Sequence, residues 1–256
     1  MENRSAARVF AILEAFEAAG KQLTLREIAE RCRMPMSTCH VLVQTLVKLG
    51  YLYSIGRRKE LYPNRRLLRL AQNIASNDPY LDRIGAELEK LRDACGETVL
   101  LGKRQGNDVV YLLAFDGPSP LRFMGKAGDF RPLHATAMGK VFLAEMEEKE
   151  LRAWLKANPV KKITPRTLTR PDDLVRDLEK CRKQGYFVAS GERLKGAAAI
   201  AVPLYCHEEP LSILIAGPDD RIEPRYRQLA TLLNGDKRAL EAAEGGATKT
   251  NRKGSK

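Results

Sequence analysis

The sequence is poorest in the features that would make it a membrane, secreted or thiolate-metal protein. No run approaches the roughly 18 uninterrupted apolar residues needed to cross a bilayer. The opening MENRSAARVFAILEAF carries early charge without a cleavable small-residue pattern. The expected location is therefore the cytoplasm, with no membrane partner. The five cysteines, Cys32, Cys39, Cys95, Cys181 and Cys206, are odd in number, scattered and free of any C-x-x-C pair. That spacing disfavours both a disulfide framework and a zinc site, and leaves reduced, mostly buried thiols. There is no internal repeat and no G-x-S-x-G elbow. His134 beside Thr136 lacks a third orienting group, so the pair reads as capping or packing rather than as base and nucleophile. Cys206, His207, Glu208 and Glu209 occupy consecutive positions of a turn between two strand-like runs, where alternation points neighbours apart. They read as a solvated turn, and no metal or other cofactor is expected.

What the chain does have is core-forming capacity and positive charge. Its 256 residues are 44% hydrophobic, enough for one large domain or two ordinary ones. The formal net charge of +12 suits a polyanionic partner, because fixed cations near phosphates release condensed counterions. Residues 1–75 hold 13 Lys+Arg against 6 Asp+Glu, so more than half the excess sits in under a third of the chain. The tail GGATKTNRKGSK adds four cations and almost nothing to bury, which predicts a disordered basic segment over 245–256.

Helical spacing of Val9, Ile12, Leu13 and Phe16 gives a first helix that stops at Gly20. Thr24 and Glu27 then form the T-x-x-E pattern of a capping box before a short second helix. Pro35 breaks that helix from a third, with Ser37 as a first-turn cap and Cys39, Leu42, Val43 and Leu46 facing inward. YLYSIGRRKELY, two β-prone runs around Gly56, reads as a hairpin with a basic tip. Three helices and a basic hairpin make a winged helix-turn-helix. A leucine-rich linker helix follows, and Asp78-Pro79 interrupts it, so the first domain is placed at 1–76 with its linker helix. Residues 77–244 alternate strand-like runs (ETVLLGKRQGNDVVYLLAFD, AAAIAVPLYC, LSILIAGP) with helical ones, which predicts an α+β domain with a mainly antiparallel sheet.

In a helix-turn-helix the second helix offers its outward, N-terminal residues to the major groove of double-stranded DNA. Here those are Met36, Ser37, Thr38, His40, Val41 and Gln44. Ser37 and Thr38 suit phosphates or bases, His40 a purine edge, Gln44 an adenine and Val41 a thymine methyl. Phosphate neutralisation falls to the surrounding cations, Arg26, Arg33 and the wing's Arg57, Arg58 and Lys59.

The order of these features resembles the IclR family of bacterial transcriptional regulators. Four stretches carry the resemblance: LREIAERCRMPMSTCHVLVQTLVKLGYL, LEKLRDACGETVLLG, FRPLHATAMGKVFLA and LSILIAGPDDRI; PLHATAMGK is the most specific. The resemblance implies a homodimer, paired in some members into a dimer of dimers, whose GAF-like C-terminal domain binds a small organic acid and alters operator binding. It implies a carboxylate held by backbone N–H groups of Ala137 and Met138 at a helix start, a natural anion site. Relatives that bind very small oxoacids tend to carry an acidic residue near Ala189-Ser190, a cysteine near Ala199 and serines near Leu214 and Ala216. This chain keeps only Ser190. With Phe123, Leu133, Ala199, Leu214 and Ala216 as walls, the pocket reads as apolar with an anion clamp, suited to a larger acid of aromatic kind.

The competing readings are a constitutive DNA binder without an effector and an enzyme with a DNA-binding appendage. The first needs no pocket, and the second needs a reactive constellation that residues 78–244 do not show. Family members usually carry a basic residue and an arginine where this chain has Met36 and Val41. Val41→Arg is therefore expected to change the sequence preferred in a selection from random duplexes; an unchanged preference would remove Val41 from the reading edge.

Overall fold

The computed structural model describes residues 3–56, 59–75, 79–206 and 209–251, and the chain divides into two compact units, Met1–Pro79 and Tyr80–Lys256.

In the first unit, α1 (Arg4–Ala19) begins where the Asn3 side chain accepts from the N–H groups of Ser5 and Ala6, and ends at Gly20 in a left-handed conformation. α2 (Leu25–Arg31) opens on the reciprocal capping box: Glu27 N–H donates to Thr24 Oγ1 at 3.3 Å, and Thr24 N–H donates to Glu27 at 2.8 Å. The Thr24 N–H and the Thr24 hydroxyl, both donating to the carboxylate, hold Glu27 down at about 2. α2 stops because Arg33 turns left-handed at φ 49°, so that Met34 N–H reaches back to the Ala29 carbonyl at 3.0 Å. α3 (Met36–Lys48) follows, then the antiparallel pair β1 (Leu52–Ile55) and β2 (Glu60–Pro63), with Leu23 bridging to Leu61. Ile12, Phe16, Leu23, Ile28, Cys39, Val43, Leu46 and Leu52 fill one core among them, while Leu42 is only partly buried. α4 (Arg66–Ala75) buries none of its residues, leaving Leu68, Leu70 and Ile74 exposed.

The second unit is a six-stranded, wholly antiparallel sheet between helical layers. After α5 (Pro79–Cys95) come β3 (Thr98–Gln105), β4 (Asp108–Phe115) and the short β5 (Phe130–Pro132). A 3-10 turn (Leu133–Ala135) leads into α6 (Ala137–Ala144), followed by α7 (Glu148–Ala157) and α8 (Pro171–Gln184). Then come β6 (Phe187–Ser190), β7 (Ala197–Cys206), β8 (Glu209–Pro218), α9 (Asp219–Ile222) and α10 (Tyr226–Asn251). The strand order is β5-β4-β3-β8-β7-β6. The period of two in the strands sorts side chains to the two faces. Leu100, Ala201, Leu214 and Ala216 pack with α6 and α8. Val99, Leu101, Ile200, Val202, Ile213 and Ile215 pack with Ile84, Leu88 and Leu91 of α5 and Leu229 and Leu233 of α10. The helix α10 runs on to Asn251, so the first part of the segment expected to be disordered is helical; adding a residue to an existing helix gains a bond without repeating nucleation. Residues 252–256, like His207 and Glu208 of the turn between β7 and β8, lie outside the described residues.

Two features of the PLHATAMGK stretch are set by close packing. A Cβ on Gly139 would sit 2.1 Å from the Leu133 carbonyl oxygen, so only glycine lets α6 cross the 3-10 turn before it. Lys140 is 1% exposed, and its ammonium lies 2.6 Å from Glu192, 2.6 Å from Asp177 and 3.0 Å from the Val188 carbonyl. Burial alone would lower the Lys140 ammonium, but the two carboxylates outweigh it and raise it. Burial pushes the Glu192 carboxyl up against the pull of Lys140. This cluster ties α6 to α8 and to the loop after β6. Lys140→Met leaves the carboxylates without their cation and is expected to cost about 3–5 kcal/mol in urea unfolding at pH 7. Without the ammonium, Glu192 rises further, so the folded variant takes up a proton on acidification that the parent takes up less readily. The deficit should therefore shrink between pH 7 and pH 5; a deficit that stayed constant would contradict the assignment.

Candidate functional site

Two regions assemble the candidate residues. The first is the outer face of α3. Ser37, His40, Val41 and Gln44 are exposed at helical spacing, Thr38 is half-buried, and Val41 and Met36 are 64% and 46% exposed. The opposite face supplies Cys39, Val43 and Leu46 to the core. Ser37 does not cap the helix: the cap position is Pro35, and no side chain satisfies the first turn. The reason is geometric, since Pro35 already fixes an extended entry and α3 starts one residue before Ser37. The consequence is a helix N-terminus whose N–H groups and positive dipole end suit a phosphate.

The surrounding cations differ in availability. Arg26 is engaged by Glu30 one turn on, Nε to Oε1 at 2.8 Å, so its charge is answered within α2. Arg33 stands exposed at the left-handed turn, and Lys59 is exposed on the wing at φ 51°; neither forms an ion pair among the described residues. Arg57 and Arg58 lie outside the described residues. The wing also exposes Tyr53 and Tyr62, packed edge to face at 6.5 Å, which the hairpin pattern did not single out.

The second region is a cavity of about 370 Å³, counting its open mouth, in the second unit between α6 and the sheet. Phe123, Ala137, Ala199, Leu214 and Ala216 line it as the sequence suggested. Leu133, Met138 and Ser190 do not. Leu133 is fully buried under Gly139. The Met138 sulfur packs where a Cβ on Gly102 would come within 2.4 Å. Ser190 follows Ala189, which lines the cavity, and strand alternation turns its hydroxyl away, to Arg166 at 3.0 Å and to Glu223. Thr136 lines the cavity and caps α6, accepting from Gly139 N–H at 3.0 Å. His134 is packed, its Nε2 2.9 Å from the Lys161 carbonyl, and burial lowers its pKa.

Sequence reasoning missed Tyr111, Glu192, Arg193 and Leu194 in this wall. Nothing in GERLKG distinguishes a solvent-facing loop arginine from one turned inward; only the tertiary position of the loop does. The Arg193 guanidinium carbon lies 5.6 Å from the Phe123 ring centroid. Burial pulls its pKa down, Tyr111 and Asp129 oppose that, and Arg131 adds to it. Arg131 is stacked on Tyr111 at 5.6 Å and paired with Asp129 at 2.5 Å. Arg193 has no ion pair among the described residues. Burial also pushes the Tyr111 hydroxyl up, so it stays a neutral donor and acceptor. The cavity therefore combines a mainly apolar wall, the rings of Tyr111 and Phe123, the start of α6 and the Arg193 guanidinium.

Comparison with known proteins places both units. Residues 5–56 match the IclR helix-turn-helix domain, and residues 74–237 match the C-terminal domain of bacterial transcriptional regulators of the IclR type. The Pca regulon regulatory protein of Pseudomonas putida is 31% identical over 78% of this chain and 69% of its own length. A crystal structure of an IclR transcriptional regulator from Alicyclobacillus acidocaldarius superposes with a TM-score of 0.80 at 25% identity, covering 94% of this chain and 99% of that one. An IclR homologue from Microbacterium hydrocarbonoxydans complexed with 4-hydroxybenzoate superposes at 0.70 and 25% identity, covering 92% and 99%. The chain therefore belongs to the IclR family of transcriptional regulators, with a DNA-binding helix-turn-helix and an effector domain, and is not an enzyme.

Proposed function

We propose that the effector of this regulator is a small organic acid of aromatic kind, bound in the cavity beside α6, and that its binding changes operator affinity. The observation that carries this reading is the cavity wall. Tyr111 and Phe123 present rings, and Ala199, Leu214 and Ala216 present methyl and isobutyl groups where a very small oxoacid would want hydroxyls or a thiol. Such a wall favours burial of a flat hydrocarbon body, and the start of α6 supplies positive potential for a carboxylate. The complex of a family member with 4-hydroxybenzoate, and the relative that regulates the Pca regulon, are compatible with that class.

On the DNA side, Ser37, Thr38, His40, Val41 and Gln44 read base edges. Arg33, Lys59 and the wing cations Arg57 and Arg58 neutralise phosphates, with Met36 at the helix start and Arg26 contributing less because Glu30 answers it. Two copies of α3 must meet half-sites about one helical turn apart, so the chain acts as a homodimer or a dimer of dimers. Effector binding changes how the two sensor units pair and thereby the spacing of the reading helices. A constitutive binder has no use for a chamber with an unanswered cation, which argues against that reading.

Thermal unfolding against a panel of acids tests the effector class. A ligand at a hundred times its Kd stabilises by about 2.7 kcal/mol, which in a chain of this size raises Tm by roughly 5–10 °C. Benzoate-like acids are expected to do so. Stabilisation by glyoxylate or pyruvate alone would overturn the reading.

A further inference from the structure

The chamber's charge balance goes beyond its size and greasiness, and rests on the reading of the cavity as an effector site. Of two arginines near Tyr111 and Phe123, only Arg193 lines the cavity. Arg131 is answered by Asp129 at 2.5 Å and stacked on Tyr111. Arg193 is held by a different logic. Its backbone neighbour Glu192 is pinned from two sides, since its carboxylate takes the Lys140 ammonium at 2.6 Å and its carbonyl accepts from Thr167 Oγ1 at 2.6 Å. The loop is also fixed at Gly191, whose N–H donates to the Ala197 carbonyl at 2.8 Å. The guanidinium is thus delivered to the cavity on a fixed root, lies against the Phe123 face, and meets no carboxylate among the described residues. Glu192 forms no ion pair with it: its Oε1 is taken by Lys140, and its Oε2 is buried with no hydrogen-bond partner among the described residues.

We propose that Arg193 is the specificity-determining residue of the effector site, pairing with the anionic group of the ligand while Phe123 and Tyr111 pack its ring. A guanidinium stacked on one aromatic face keeps its edge N–H groups free, and that edge matches a carboxylate in two parallel hydrogen bonds. The pairing takes place in a partly dry site, where leaving the cation unanswered is costly and a charged partner is worth more than in water. The ligand class that follows is a planar, conjugated monoacid whose neutral amide is a poor substitute. The same wall gives no reason to prefer an aliphatic acid of equal charge, since only a flat body fills the space beside two rings.

The test uses the full-length protein with benzoate, benzamide and benzamidine, which share a ring and differ in charge. The parent protein is expected to bind benzoate roughly ten- to hundredfold more tightly than benzamide by calorimetry. Arg193→Met should bring the two within a few fold of each other, Arg193→Lys, which keeps the charge but not the paired guanidinium donors, should retain only part of the preference, and Arg193→Glu should favour benzamidine. Arg193 is partly exposed and its side chain donates no hydrogen bond to the described residues, so urea unfolding should show near-parental stability for all three variants. If Arg193→Met keeps the parental preference for acid over amide, the carboxylate is held elsewhere, at the start of α6; this inference fails and the aromatic-acid reading stands. If the parent protein binds none of the three while an aliphatic acid stabilises it, the reading beneath fails as well.

Discussion

A lysine ammonium taken out of water is tolerable only where oxygens surround it, and in this chain they come from three separate elements. Asp177 of α8, Glu192 of the loop after β6 and the Val188 carbonyl of β6 converge on Lys140 of α6. One cation therefore fixes the helix whose start opens the cavity to the loop that carries Arg193. Breaking it would leave buried carboxylates uncompensated, which is worse than never having had them. Gly139 enforces the same arrangement sterically, because the Leu133 carbonyl occupies the space of any side chain there. A second charge pair does comparable work beside the central strands: Arg221 grips Glu97, just before β3, with two bonds at 2.7 and 2.8 Å, and Gly217 leaves room for that carboxylate.

These pairs explain why the most specific sequence motifs say less about the ligand than about the frame. In PLHATAMGK, the leucine, glycine and lysine are packing and charge devices, and Thr136 is a cap that also touches the cavity. In LSILIAGPDDRI, the arginine and glycine serve Glu97. The cavity wall shares residues with that frame: Thr136 caps α6, Glu192 holds Lys140, and Leu214 and Ala216 belong to the buried core.

Much of the architecture was legible in the sequence because local signals agreed. The capping box, the Pro35 break and the strand-like runs ETVLLG and LSILIAG each point one way, and the structure follows them. The errors arose where tertiary position decides. Ser37 looked like a cap, but Pro35 had already set the entry. Ser190 looked like a pocket residue, but a strand register shared with Ala189 turns it outward. Arg193 was invisible because a basic residue between two glycines is, by pattern alone, solvated; its packing against Phe123 is a contact across 70 positions of chain.

The central claim is a coupling: one chain joins a face of Ser, His and Gln that reads a duplex to a greasy chamber that reads an acid. Thermodynamic linkage makes the claim checkable from both ends. With an operator obtained by genomic footprinting, the factor by which saturating acid changes operator affinity should equal the factor by which saturating operator changes acid affinity, in the same direction and roughly 5- to 150-fold. Operator affinity that is identical with and without saturating acid would contradict the account.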